Sequence, residues 1–142
     1  MTPELSGTGI ARCIRLALAD EGIAPEEVDY IKAHGTATPL NEVVKTRGVK
    51  MAFGKKAYEI PISSIKAMIG NCLGSAGVIE AVATLLSLHE GVIPPTINYT
   101  TPDSECDLDY TPNEVREKGI RIAISNSFAF GGNNVCLGFG KV

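Results

Sequence analysis

Apolar residues recur along this chain at two spacings, and the switches between them mark out its elements. From about Gly7 to Glu21, Ile10, Ile14, Ala17 and Leu18 fall at i, i+4, i+7 and i+8, the one apolar face of an amphipathic helix. Gly22 then offers a left-handed stop. "YIKA", Tyr30 to Ala33, reads as a strand ending at His34, and the turn formers of "GTATPLN" lead to a second helix near Glu42 to Ala52. "EIPISSIK" is a β-rich run ending at Lys66; "GNCLGSAG" follows as a loop, and a long helix covers about Ser75 to His89, closed by Gly91. "VIPPTINY" is extended, because a residue before proline is pushed out of the helical region. "TTPDSECDLDYTPNEVREKG" is expected to be an ordered surface loop with little regular structure. The last runs, "IRIAISNSFAF" and "NNVCLGFGK", flank "GGNN" and pair as antiparallel strands. The order α, β, α, β, α, β-β predicts one α/β layered domain over residues 1–142, built around a mixed sheet.

Composition narrows the class without naming it. At 142 residues the chain is long enough for a real core. Its net charge is −3 and it has no Lys/Arg cluster, which argues against nucleic acid or an anionic membrane as the main partner. "MTPELSGTG" shows neither a basic stretch nor an apolar core, and no apolar run approaches the ~18 residues of a membrane span, so a cytoplasmic protein is expected. Cys13, Cys72, Cys106 and Cys136 are scattered without a CxxC pair, which makes free thiols the simple expectation and a metal cluster an unexpected one.

The chemistry-bearing positions share one kind of address. His34 ends a strand, Lys66 and Asn71 follow another, and "SFAFGG" trails a third. Loops at strand ends gather into a site in open α/β sheets. Singly, each residue also has a plain structural reading. His34 could be a hydrogen-bonded structural residue, Lys66 a solvated lysine and Asn71 a helix cap; Thr36 and Thr38 could be turn hydroxyls.

Taken together, "AHGTATPLNE", "SSIKAMIGNCLGSAGVIEA", "GVIPPTINYTTPD", "CDLDYTP" and "ISNSFAFGGNN" resemble, in order and spacing, the β-ketoacyl-acyl-carrier-protein synthases of the elongating type II-like kind. The resemblance covers essentially the whole chain. It implies a thiolase-like half-domain, a mixed five-stranded-type sheet covered by helices, corresponding to the carboxyl-terminal half of such an enzyme; "MTPELSGTG" resembles an internal segment. The family's nucleophilic cysteine lies in the other half, and none of the four cysteines here stands in its context.

The resemblance also implies roles. His34 and Asn71 would donate to the enolate oxygen formed when malonyl-carrier protein loses CO2, and Lys66 would pair with Glu80 near the site. Thr36 and Thr38 would hold the phosphopantetheine arm. Phe128 and Phe130 would line the acyl pocket, Phe130 as its gate, with Gly131 and Gly132 giving the gate loop its freedom. Asn71 stands where elongating enzymes usually carry a second histidine, and Glu42 and Lys45 stand where the family commonly has aspartate and glutamate. No metal or dissociable cofactor is implied, since the arm arrives on acyl carrier protein. The expected partners are that carrier, the amino-terminal half or a second subunit, and further copies in a homo-oligomer. A non-catalytic partner resembling chain-length factors, or an inactive fragment, stays open as the alternative.

Overall fold

The short run "YIK" is buried on both faces, and the other elements are arranged about it. The computed structural model describes residues 5–129 and 132–141. In it β1 (Tyr30–Lys32) runs parallel to β2 (Ile62–Ser63) on one side and to β5 (Ile122–Phe128) on the other. Antiparallel β6 (Asn134–Gly140) completes the order β2-β1-β5-β6. The register pairs Ile31 with Ile62 and with Ile124, so a row of branched side chains crosses the sheet where backbone pairing is densest.

Successive strand residues point to opposite faces. Ile31, Ala33 and Ile124 join the larger core cluster beneath α1 (Thr8–Asp20) and α2 (Pro39–Phe53), with Ile10, Ile14, Leu18, Val44 and Val49. Tyr30 and Ala123 face the other way and pack with Leu88 of α4 (Ala76–Glu90) and with Ile93 and Ile120. The two helices of the first layer touch closely because glycine lets them. A Cβ on Gly48 would lie 2.5 Å from the Ile10 side chain, so any other residue there would force α1 and α2 apart.

The apolar pattern anticipated most of this order, with four differences. The second helix starts at Pro39 rather than near Glu42, because proline's fixed φ suits a first helical position. The strand expected to reach Lys66 ends at Ser63, and Lys66 instead opens a single helical turn, α3 (Lys66–Ile69). The main sheet has four strands among the described residues; β3 (Val92–Ile93) pairs with β4 (Arg116–Glu117) in a separate ribbon. The segment around "ECDLDYTP" is not merely a surface loop: Cys106, Leu108 and Tyr110 are buried in the larger cluster. Their alternation with Glu105, Asp107 and Asp109 is the period of a half-buried extended segment.

The α4 layer is unlike the first. Its buried residues include Glu80, Thr84 and Ser87, while Val78, Val82, Leu85 and Leu86 lie exposed. Met68, Ile69 and Leu73 extend that apolar face toward α3. No helix among the described residues is long and apolar enough to cross a membrane.

Candidate active site

Three strand ends meet at the edge of this layer. Past β1 the chain runs His34–Gly35, and Gly35 takes a left-handed φ of 46°. A side chain there would press on Ser64, its Cβ 2.5 Å from the serine Oγ, so only glycine lets the two loops lie together. Ser64 Oγ donates to the Gly35 carbonyl at 2.9 Å, and the Ser64 N–H donates to Thr96 Oγ1 at 3.1 Å. These bonds bring the start of α3, and Lys66 with it, beside the end of β1. From the third strand end, the Phe128 ring lies 5.9 Å from the His34 ring, centroid to centroid, at 52°.

Lys66 Nζ pairs with Glu80 Oε1, both side chains buried. This is the pair the sequence led us to expect. A second lysine, absent from that expectation, shares the same oxygen: Lys32 Nζ lies 3.8 Å from Glu80 Oε1 and donates to the Ala33 carbonyl at 3.2 Å. Lys32 is 0% exposed. Burial pulls its ammonium down to about 8, against the opposing attraction of Glu80. The signal in the sequence was a lysine amid the apolar residues of a strand buried on both faces; read at period 2, it passes for an ordinary solvent-facing residue.

His34 is half-buried, and its Nδ1 has no hydrogen-bond partner among the described residues. Burial, and then the charge of Lys66, push its imidazole down to about 4, so it is neutral near pH 7. A neutral imidazole offers one N–H and one lone pair, the form suited to donating a hydrogen bond to an anion.

Lys45, the cation where the family resemblance led us to expect a carboxylate, is paired rather than loose. Its Nζ binds Glu42 Oε2 and sits 4.6 Å from the centre of the Tyr110 ring. Glu42 Oε1 in turn accepts the Ala37 N–H at 3.2 Å, tying the "GTAT" loop to α2. On that loop Asn41 Nδ2 donates to Thr36 Oγ1 at 2.8 Å, and the Thr36 and Thr38 hydroxyls are 3.5 Å apart.

The remaining expected residues are less engaged. Asn71 is exposed, and its Oδ1 accepts the Leu73 N–H at 3.1 Å, stabilising the turn before α4. That bond uses the carboxamide oxygen and leaves the NH2 as its donor end. No contact between Asn71 and His34 is found among the described residues. Gly132 is exposed at φ 80°. Phe130 and Gly131 lie outside the described residues. One further polar side chain went unread in the sequence: Asn126 on β5 is buried, with neither end of its carboxamide partnered among the described residues.

The model of the β-ketoacyl synthase C-terminal domain matches residues 1–100 of this sequence. The chain belongs to the β-ketoacyl synthase family. Among relatives of this synthase domain, the 3-oxoacyl-(acyl-carrier-protein) synthase 2 of Synechocystis sp. is 52% identical over 139 residues, 98% of this chain and 33% of that protein. The Coxiella burnetii protein of the same name is 46% identical over 140 residues, 99% of this chain and 34% of the relative. The chain therefore spans about a third of the length of the curated relatives it matches. A solved type II polyketide synthase complex, AntDE:AntF, an acyl-carrier protein with its ketosynthase, superposes with a TM-score of 0.96 at 40% identity, over 99% of this chain and 34% of that one. The ishigamide ketosynthase/chain length factor gives 0.92 at 40% identity, over 96% and 34%. The fold is thus the thiolase-like half-domain of a ketosynthase.

Proposed function

We propose that this chain supplies the carboxyl-terminal half of a ketosynthase that condenses an acyl thioester with malonyl-carrier protein in fatty acid or polyketide synthesis. The reading rests on one observation: His34, Lys66 with Glu80, and Phe128 converge from three strand ends, with the imidazole neutral. A cysteine from the amino-terminal half, or from a partner subunit, would hold the acyl group as a thioester and divide a difficult step in two. Loss of CO2 from the malonyl thioester places negative charge on its carbonyl oxygen. His34, through Nε2–H, and the Asn71 NH2 would meet that charge. One such donor is worth about 3 kcal/mol when preorganised in a dry site.

Lys66 and Glu80 would hold the strand-end loops in place. Thr36 and Thr38 would bind the phosphopantetheine arm, and Phe130, Gly131 and Gly132 would form the acyl-pocket gate beside Phe128. No metal or dissociable cofactor enters this scheme, since acyl carrier protein delivers the arm; a cytoplasmic setting suits such carrier-borne substrates. The exposed apolar face of α4 supports a partner, either the amino-terminal half or a second subunit in an oligomer.

A second reading, a non-catalytic partner resembling chain-length factors, has its own support. Asn71 is exposed with its carboxamide oxygen turned to the Leu73 N–H, and Lys45 replaces an expected acid. Exchanging this segment into a complete synthase and measuring malonyl decarboxylation separates the two. Under the leading reading, His34→Ala and Asn71→Ala each lower the rate by about 10²–10³-fold. Unchanged rates in both would overturn it in favour of the partner role.

A further inference from the structure

The buried charges beside His34 do not sum to zero. From α2 come Lys45 and Glu42, from α3 Lys66, from α4 Glu80 and from β1 Lys32. Lys45 is matched by Glu42 and Lys66 by Glu80, each in direct contact. Lys32 is the remainder. It reaches Glu80 only at 3.8 Å, over an oxygen already held by Lys66, and Glu80 Oε2 has no partner among the described residues. A surplus ammonium in a dry interior carries a heavy desolvation penalty, and its field acts on whatever ionisable group lies near. His34 is that group: it stands two residues beyond Lys32, just past the end of β1, and feels the charges of Lys66, Lys32 and Lys45.

We propose that Lys32 is a positioning residue for His34: by sharing Glu80 with Lys66, it holds the carboxylate between two ammonium groups and adds a positive charge beside the imidazole to that of Lys66. The inference deepens the condensing-enzyme reading and rests on it for its purpose. An imidazolium beside a nascent enolate would hand over its proton and quench the carbanion, whereas a neutral ring donates a hydrogen bond and keeps the proton. Lys32 acts through charge and through Glu80; it touches no reacting atom.

The test is proton and carbon NMR of the histidine rings in the full 142-residue chain, which contains only His34 and the exposed His89. In the unsubstituted protein, the His34 resonances should show their own acid inflection and a second, smaller one near pH 8, where Lys32 gives up its proton. In Lys32→Met, which keeps an unbranched side chain one atom shorter and removes the charge, the alkaline inflection should vanish. The acid inflection should move up by a few tenths to about one pH unit, as expected for removal of a nearby like charge. His89 should not move. A purely structural Lys32 would change stability and leave the His34 titration where it was, and that result overturns the proposal. Should Lys32→Met fail to fold, the unsubstituted protein still decides, because absence of the alkaline inflection is equally fatal. Activity plays no part in these readouts. Unchanged decarboxylation in the His34 and Asn71 variants would therefore remove the condensing reading while leaving the Lys32–His34 coupling to stand or fall by itself.

Discussion

Helices α1 and α4 carry apolar residues at the same spacing and put them to opposite use. On α1, Ile10, Ile14, Ala17 and Leu18 stand at i, i+4, i+7 and i+8, and all but Ala17 are fully buried against the sheet. On α4, Val78, Val82, Leu85 and Leu86 stand at those same intervals and face away from the sheet, between 48% and 69% exposed. What α4 turns inward is a second stripe, Ala76, Glu80, Thr84, Ser87 and Leu88, which is half polar. An amphipathic helix normally buries its apolar stripe. A helix that buries a glutamate and shows its valines and leucines inverts that rule, and the proposed partner surface is the reading that accounts for it. The comparison separates a layer closed by apolar packing from one whose inward face is partly polar and whose outward face is apolar.

The largest effect should come from the polar stripe. Glu80→Leu removes the carboxylate shared by Lys32 and Lys66 and leaves two ammonium groups buried without a counter-charge. Breaking one buried pair costs about 3–5 kcal/mol, and here one substitution breaks two contacts. Urea denaturation should show loss of most of the folding transition; a loss under about 1 kcal/mol would mean that water already reaches the pair. Next come matched truncations on the two helices. Ile14→Ala, fully buried, should lower stability by about 3 kcal/mol. Val82→Ala on α4 should change it by less than about 0.5 kcal/mol, as for a surface site. Equal losses would show that the outer face of α4 is covered in solution, by another copy for instance, and sedimentation velocity on the same samples would reveal that copy.

These contrasts also mark what the sequence made legible. The strand-end loops were readable because glycines and polar residues interrupt apolar runs there, so His34 falls just past β1 as expected, while Lys66 follows β2 by a short loop and opens α3. The Lys66–Glu80 pair followed from family resemblance, and the geometry bears it out. Lys32 and the inversion of α4 were not readable. Periodicity reports which residues share a face, not which face meets the sheet, and β1 buries both of its faces. Asn71 is a different case: its position was anticipated, but its bond to Leu73 is local, and a shared anion with His34 remains an expectation of the proposed chemistry. The buried "CDLDY" segment was hidden by its acids and by the flanking Pro102 and Pro112, which outvoted a short alternation of three apolar residues.

A smaller effect sharpens the same contrast at the loop junction. Gly35→Ala adds a side chain at φ 46° that presses on Ser64, so the loops bearing His34 and Lys66 must part or strain. The left-handed conformation alone costs about 1–2 kcal/mol for a non-glycine residue, and crowding adds to it. Thermal melts of Gly35→Ala and of Gly35→Ala combined with Ser64→Gly should recover part of the loss in the double variant. Full additivity of the two changes would show that the loops do not touch.

A last effect is set by pH and centres on His34. His34 takes a proton only near about 4 when folded, but near 6.5 when the chain is unfolded. Between those values the unfolded state binds the proton and the folded state refuses it, so stability is complete above pH 6.5 and is lost as pH falls toward 4. The full gap corresponds to about 3 kcal/mol at 1.36 kcal/mol per unit, and partial exposure of the ring reduces this to about 1–2 kcal/mol. Carboxylates titrate in the lower part of the same range, so the quantity to measure is the difference between the unsubstituted chain and His34→Gln, by urea denaturation at pH 7.0, 6.0, 5.0 and 4.5. That difference should grow in favour of His34→Gln as acid is added. A constant difference would mean that the ring is solvated in the folded chain, and that burial and the charges of Lys66, Lys32 and Lys45 do not act on it.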